Sequence, residues 1–311
     1  MKKKIFIAGQ EGMVGSEIYN LLKKKKFKLI DCKRKNLDLI NQISVDKWFK
    51  KNKPDIVINA AGKVGGILDN NNFKDEYIYQ NSIMGLNLVN ASLKYNVKKF
   101  INLGSACIYP KKVKNPIKEE YLLSSNLEKT NEGYAIAKIC VLKFCEYIKK
   151  RYKKKFISLQ PTNLYGNNDN YDLKSSHVIP GLIHKFYLAI KKRKNKIEIW
   201  GSGSVKREFL HVNDLAEAIL FCIKKDIKYN VINIGSGYEI TIKELVKKLI
   251  KITNYKGKVI FNKKYPDGVK NRKLDSTKIM NLGWKPKIDL DKGLTETYSF
   301  FSKNYKKNSY K

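Results

Sequence analysis

The chain is poor in arginine, cysteine and long apolar runs, and each shortage removes a class of function. Only five of its 64 basic side chains are arginine: Arg34, Arg151, Arg193, Arg207 and Arg272. The 59 lysines are spread over all 311 residues and, against 28 acids, leave a formal net charge of +36. Because they gather into no arm or stripe, the excess reads as a compositional habit rather than an electrostatic footprint, and no nucleic-acid partner is expected. The five cysteines (Cys32, Cys107, Cys140, Cys145 and Cys222) are odd in number and contain no CxxC pair, which argues against a disulfide framework or a zinc site; no metal is expected. No stretch of about 18 apolar residues occurs, so no membrane span is expected. The first nine residues hold one short apolar run before a turn, so no signal peptide is expected, and the cysteine pattern fits a reducing cytoplasm best.

What remains is a chain with 42% hydrophobic and 11% aromatic residues, enough to build a sizeable core. Apolar runs at 4–8, 29–31, 56–60, 100–103 and 156–160 read as buried parallel strands, and amphipathic stretches at 13–24 and 76–95 read as the helices between them. That alternation predicts an α/β fold, a Rossmann-type doubly wound parallel sheet whose ligand sits beyond the carboxyl ends of the strands. After Pro161 the rhythm breaks into loops, then short strands (198–200, 231–234, 258–261) and helices (214–224, 242–252), which read as a smaller C-terminal α/β lobe. The predicted division is a dinucleotide-binding domain over 1–165, with part of the later chain returning to it, and a substrate lobe over 166–311. The lysine-rich end, 303–311, is expected to be a solvated tail.

The run Ala8-Gly9-Gln10-Glu11-Gly12-Met13-Val14-Gly15 follows the first strand and opens the first helix. Glycines there let the backbone turn sharply and approach a pyrophosphate, which the free amides of the helix start would bind. The second strand ends at Asp31-Cys32-Lys33-Arg34. An acid at that place would bond the ribose hydroxyls of NADH, whereas Lys33 and Arg34 would hold the 2'-phosphate of NADPH. Both are present, and the rarity of arginine favours the phosphate and NADPH.

Tyr134 and Lys138 stand four apart on a predicted helix and so share a face, and Ser105 follows the fourth strand in Leu103-Gly104-Ser105-Ala106-Cys107. A phenol of ordinary pKa near 10 is a poor acid-base group at neutral pH, and a nearby ammonium is expected to bring it toward the working range. Ser105 would bond the same reacting carbonyl oxygen.

With those motifs the chain resembles the extended short-chain dehydrogenase/reductases, and within them the branch acting on GDP-4-keto sugars. The resemblance also runs through 60–67, 103–110, 161–166, 176–180, 200–203, 207–212, 266–268 and 272–275. Departures are Gly133, where relatives often carry proline, Glu11 in the glycine turn, and Asp31. The resemblance implies that Ser105, Tyr134 and Lys138 carry a C4 reduction and that Cys107 and His177 form an epimerising acid-base pair, since protons alpha to a C4 ketone are acidified. It places Leu103, Gly104, Ser105, Ala106, Lys138, Pro161, Thr162, Asn163, Leu164 and His177 on the cofactor, beside the glycine turn. It places Lys185, Trp200, Arg207 and Asp267 on a GDP-sugar, with Arg207 gripping the diphosphate bidentately.

The expected activity is NADPH-dependent 3,5-epimerisation and 4-reduction of GDP-4-keto-6-deoxy-D-mannose. The alternatives are a C4 reductase of a related GDP-4-keto sugar such as a heptose, or a non-catalytic dinucleotide-binding protein. The resemblance also implies a homodimer through 76–95 and 135–151, the helices that pair in extended relatives, with apolar positions such as Ile83, Leu86, Leu142 and Ile148 at its seam.

Overall fold

The computed structural model describes residues 3–265, 269 and 271–305. In chain order the elements are β1 (Lys4–Ala8), α1 (Met13–Lys24), β2 (Lys28–Ile30), α2 (Gln42–Asn52), β3 (Ile56–Asn59), α3 (Ile67–Asn72), α4 (Lys74–Lys94) and β4 (Lys99–Leu103). They continue with α5 (Glu132–Tyr152), β5 (Lys155–Pro161), β6 (Asn163–Tyr165), α6 (Val178–Lys191), β7 (Lys196–Trp200), β8 (Lys206–His211) and α7 (Val212–Lys224). The last are β9 (Val231–Ile234), β10 (Glu239–Thr241), α8 (Ile242–Thr253), β11 (Lys258–Asn262), α9 (Thr277–Asn281) and α10 (Leu290–Asn304).

Six of these strands form one parallel sheet in the order β2-β1-β3-β4-β5-β9. β1, β3, β4 and β5 are buried almost throughout, the continuous apolar pattern required when both faces of a parallel sheet are covered. One face packs on α1 and α7 through Ile18, Leu22, Leu215 and Ile219. The other packs on α2, α4 and α5 through Phe49, Leu88, Val141 and Cys145. The fold class is therefore as expected, a doubly wound sheet, but β9 differs in its placement. The run 231–234 was assigned above to the smaller lobe; it pairs with β5 instead, Ser158 opposite Val231, because β5 would otherwise be an unprotected edge.

The smaller part holds a three-stranded sheet, β10-β8-β6, and a two-stranded one, β11-β7, over a core of α6, α8 and α10. α8 has the clearest local start signal: the Thr241 side chain accepts from the Glu244 amide while the Glu244 carboxylate accepts from Thr241 N, a reciprocal cap. β6, β8 and β10, which carry Asn163, Arg207 and Glu239, are not evident in the sequence because they pair out of chain order and because β6 and β10 span three residues each. The expected tail beyond Tyr305, 306–311, lies outside the described residues.

Among the described residues no helix is long and apolar enough to cross a membrane.

Candidate active site

The strand order reverses between β1 and β3, and the glycine turn lies at that point, where an open parallel sheet leaves a crevice. Gly9 has φ +80°, and a Cβ there would lie 2.8 Å from the Ala60 carbonyl, so both backbone shape and space demand glycine. A Cβ on Gly15 would fall 2.0 Å from the Gly9 oxygen, so the third glycine sets how closely α1 approaches the turn. α1 begins at Gly12 with no side-chain cap and no acid in its first turn, leaving its first amides for an external anion. The residues present therefore fit a dinucleotide diphosphate.

The two side chains inside the turn have structural partners that the sequence did not reveal. Gln10 donates to the Asp31 carboxylate and accepts from Cys32 N at 3.2 Å. Glu11 accepts from Arg34 N at 2.8 Å. Asp31 is thus engaged by Gln10, and the departure at Glu11 holds the backbone of the basic run. Lys33 and Arg34 are both exposed.

Leu103 ends β4 and Gly104, Ser105 and Ala106 follow it, and Pro161, Thr162, Asn163 and Leu164 span the end of β5 and the start of β6, so both groups lie at the same carboxyl-end rim as Gly9. Thr162 and Asn163 are tied to β8: both side chains donate to the Glu208 carbonyl, at 3.2 and 2.9 Å. Gln160 accepts from Ser105 N at 2.9 Å, and its amide nitrogen is buried without a partner.

Ser105, Cys107, Tyr134 and Lys138 are brought together from β4's following turn and α5. Cys107 N donates to Ser105 Oγ at 3.3 Å, capping the short turn over Ala106–Ile108. Lys138 Nζ donates to the Leu103 carbonyl at 3.0 Å and stands 5.5 Å from the centre of the Tyr134 ring. Gly133 carries a reason for its departure from proline: a Cβ there would lie 2.5 Å from the Lys74 carbonyl, where α4 begins.

The electrostatics differ from the expectation. Burial raises Tyr134, with Cys107 and Tyr77 adding to the rise, and burial lowers Lys138 to about 8. The ammonium lies over the ring and bonds Leu103, so it does not lower the phenol; desolvation decides both values. Tyr134 accordingly keeps its proton throughout the neutral range, the state a proton donor needs. Burial also raises Cys107, opposed by Ser105, Arg272 and Lys138, and lowers His177. His177 comes from a different element, as the residue before α6, without a side-chain cap bond; the residue keeps an open outer surface, while the protein packed around its ring is what lowers its pKa. Its neighbour Ser175 accepts from Gly66 N at 2.7 Å, which ties this segment to the loop after β3.

Of the expected sugar-nucleotide residues, Lys185 and Trp200 meet: the Lys185 ammonium lies 5.1 Å from the Trp200 ring centre. Trp200 is 48% exposed and stacks on Tyr265 at 4.3 Å and 15°, so it is a surface platform rather than core packing. Arg207 Nη1 donates to the carbonyls of Lys206 (2.7 Å) and Val269 (2.6 Å). Asp267 lies outside the described residues.

Sequence reasoning did not single out Tyr265, Asn81 and Gln160, which the structure sets against Trp200, Gly62 and Ser105. Asn81 exchanges two bonds with the backbone of Lys63, at 3.0 and 3.1 Å, and a Cβ on Gly62 would lie 2.9 Å from its oxygen and 3.5 Å from Lys138 Nζ. An asparagine buried on an otherwise apolar helix face was the available signal.

Comparison with known proteins places these features in context. Residues 5–235 match the model of the NAD dependent epimerase/dehydratase family. A GDP-L-fucose synthase from Sinorhizobium fredii is 44% identical over 306 residues, covering 98% of each chain. Among solved structures, a GDP-6-OMe-4-keto-L-xylo-heptose reductase from C.jejuni superposes with a TM-score of 0.91 at 34% identity, over 97% of this chain and 98% of that one. A gdp-l-fucose synthetase from Naegleria fowleri bound to NADP does so with 0.89 at 27% identity, over 98% and 94%.

Proposed function

From the premise that this chain belongs to the NAD dependent epimerase/dehydratase family, we propose that it converts GDP-4-keto-6-deoxy-D-mannose to GDP-L-fucose with NADPH. The observation that carries the reading is the joining of Ser105, Cys107, Tyr134 and Lys138 beside the glycine turn, at full-length similarity to GDP-L-fucose synthases. When bound, NADPH supplies the hydride for C4. Ser105 orients the C4 oxygen, and Tyr134 donates its proton to that oxygen as charge builds there. Lys138, anchored on Leu103, keeps a cation beside this centre below pH about 8. Cys107 takes a proton from C3 or C5 and His177 returns one to the opposite face.

The dinucleotide is assigned to residues 1–165, with α7 and β9 returning, and the sugar nucleotide to 166–311. The guanosine end would lie on Trp200 and Lys185, and Arg207 would exchange its carbonyl partners for the diphosphate. The five free cysteines fit a reducing cytoplasm. Incubation with NADPH and a panel of GDP-4-keto sugars, with products identified by mass and NMR, tests the reading. GDP-L-fucose is the expected product, and a product only from a heptose substrate would replace the sugar assignment. That second reading has its support in the heptose reductase likeness.

For the cofactor, Lys33 and Arg34 are the proposed 2'-phosphate ligands, with Glu11 holding the Arg34 amide in place. Lys33→Gln with Arg34→Gln should weaken NADPH by roughly ten- to hundredfold, the loss of one or two charge-assisted bonds, and leave NADH nearly unchanged. Fluorescence titration of both cofactors checks this; equal weakening would remove the basic run from the site.

The proposed homodimer keeps α4 and α5 but changes the seam. Leu142 and Ile148 are 1% and 2% exposed, packed inside their own protomer, so neither is free to pair. Outward lie Tyr79, Ile136 and Tyr147, at 60%, 41% and 63% exposure, beside the half-buried Ile83 and Leu86. Leaving an isoleucine-sized side chain in water forgoes roughly 1.5–3 kcal/mol, so a self-complementary contact here is favourable. Light scattering at micromolar concentration should give twice the 36.0 kDa chain mass, and Tyr79→Glu with Tyr147→Glu should halve it. A monomeric wild type would refute the seam.

A further inference from the structure

Cys107 needs help to act as a base, because burial raises its thiol; the Ser105 hydroxyl and neighbouring cations oppose that cost. Two cations act on it, Lys138 and Arg272. Lys138 is itself lowered to about 8 and donates to Leu103. A guanidinium, by contrast, stays charged at any working pH. Arg272 Nη2 donates to the carbonyls of Ala106 (3.0 Å) and Tyr109 (2.7 Å), which bracket the turn that carries Cys107. Its Nε is buried with no hydrogen bond.

The segment around Arg272 is held by residues far away in sequence. Arg272 N donates to Glu239 at 3.2 Å, Lys273 N to Asn115 at 3.2 Å, and Leu274 N to the buried Glu208 carboxylate at 2.9 Å. Ile117 N donates back to the Lys273 carbonyl at 2.7 Å. Tying a turn through two carbonyls is a task a lysine could share in a chain with 59 of them, yet one of only five arginines stands here. Both bonds leave the one nitrogen Nη2, so what arginine adds over lysine is a charge that burial does not remove at working pH.

We propose that Arg272 is the positioning residue of the epimerisation: it fixes the Cys107 turn and sets a permanent positive charge beside the sulfur, favouring the thiolate. This rests on the reading of Cys107 as the base. In the step it serves, the C3–H or C5–H bond breaks, the proton passes to Sγ, and the electron pair moves into an enolate whose charge rests on the C4 oxygen. The other groups acting on the sulfur are Ser105, Lys138 and the neutral Tyr134. Glu128, the acid acting on Arg272, is paired with Lys111 at 3.0 Å.

The test uses the whole protein with Cys140→Ser, in which Cys107 is the remaining cysteine that is not buried. The rate of alkylation by iodoacetamide is followed against pH. Arg272→Gln should raise the apparent pKa of Cys107 by about one to three units. At pH 7 it should slow deuterium uptake at C3 and C5 of the 4-keto sugar by about tenfold or more, with C4 reduction much less affected. Arg272→Lys should recover most of the pKa change, and Arg272→Met gives the same reading as glutamine should that variant fail to fold. An alkylation pKa unmoved in the folded neutral variants overturns the role of Arg272. If instead Cys107→Ser leaves deuterium uptake intact, the assignment of the base fails, a result separable from the alkylation profile.

Discussion

Tyr134→Phe should lower the turnover of NADPH-dependent reduction by about two to four orders of magnitude, the usual worth of a positioned general acid. The substitution removes one oxygen and leaves the ring, which packs edge-on against Tyr77 at 6.1 Å between centres, so the fold has little reason to change. The phenol is held protonated by burial, so it arrives at the reaction ready to donate. Lys138 cannot replace it, because its ammonium is directed to the Leu103 carbonyl. Turnover measured by NADPH absorbance, beside a cofactor titration showing unchanged binding, checks the expectation. Near wild-type turnover would remove Tyr134 from the mechanism.

Cys107→Ser should separate the two halves of the reaction. Wild type is expected to incorporate solvent deuterium at both C3 and C5 before reduction, since epimerisation exchanges carbon-bound hydrogen and C4 reduction does not. Serine keeps the size and the cap from Ser105, but its hydroxyl is far harder to ionise, so uptake should fall by about two to four orders of magnitude. Reduction by Tyr134 and Lys138 should persist and yield mainly unepimerised product, read by NMR. A wild type that takes up no deuterium from any GDP-4-keto sugar tested would leave the reductase-only alternative in place of the epimerase.

Local features of the chain were legible wherever a residue's role depends on its near neighbours. The spans of β1 and α1 agree with the apolar period to the residue, since burial on two faces or one face imposes that period directly. The turn glycines were legible for the same reason: Gly9 and Gly15 answer to a clash within a few residues or with the adjacent strand. Period cannot tell which partner a buried face meets. Leu142 and Ile148 lie on an apolar face, but that face belongs to the protomer's own core, and the outward side chains are Ile136 and Tyr147.

The sequence by itself determined the fold class, the dinucleotide turn, and the four-residue spacing that unites Tyr134 with Lys138, because each is written in short-range sterics and helix geometry. Only the tertiary structure decided that 231–234 closes the large sheet, that Gln10 and Glu11 bind Asp31 and the Arg34 amide, and that Arg272 reaches the turn of Cys107. It also decided that burial, rather than Lys138, sets the direction of the shift at Tyr134. Strand pairing and pKa are set by what lies close in space, including the amount of water excluded, and neither quantity is carried by spacing along the chain.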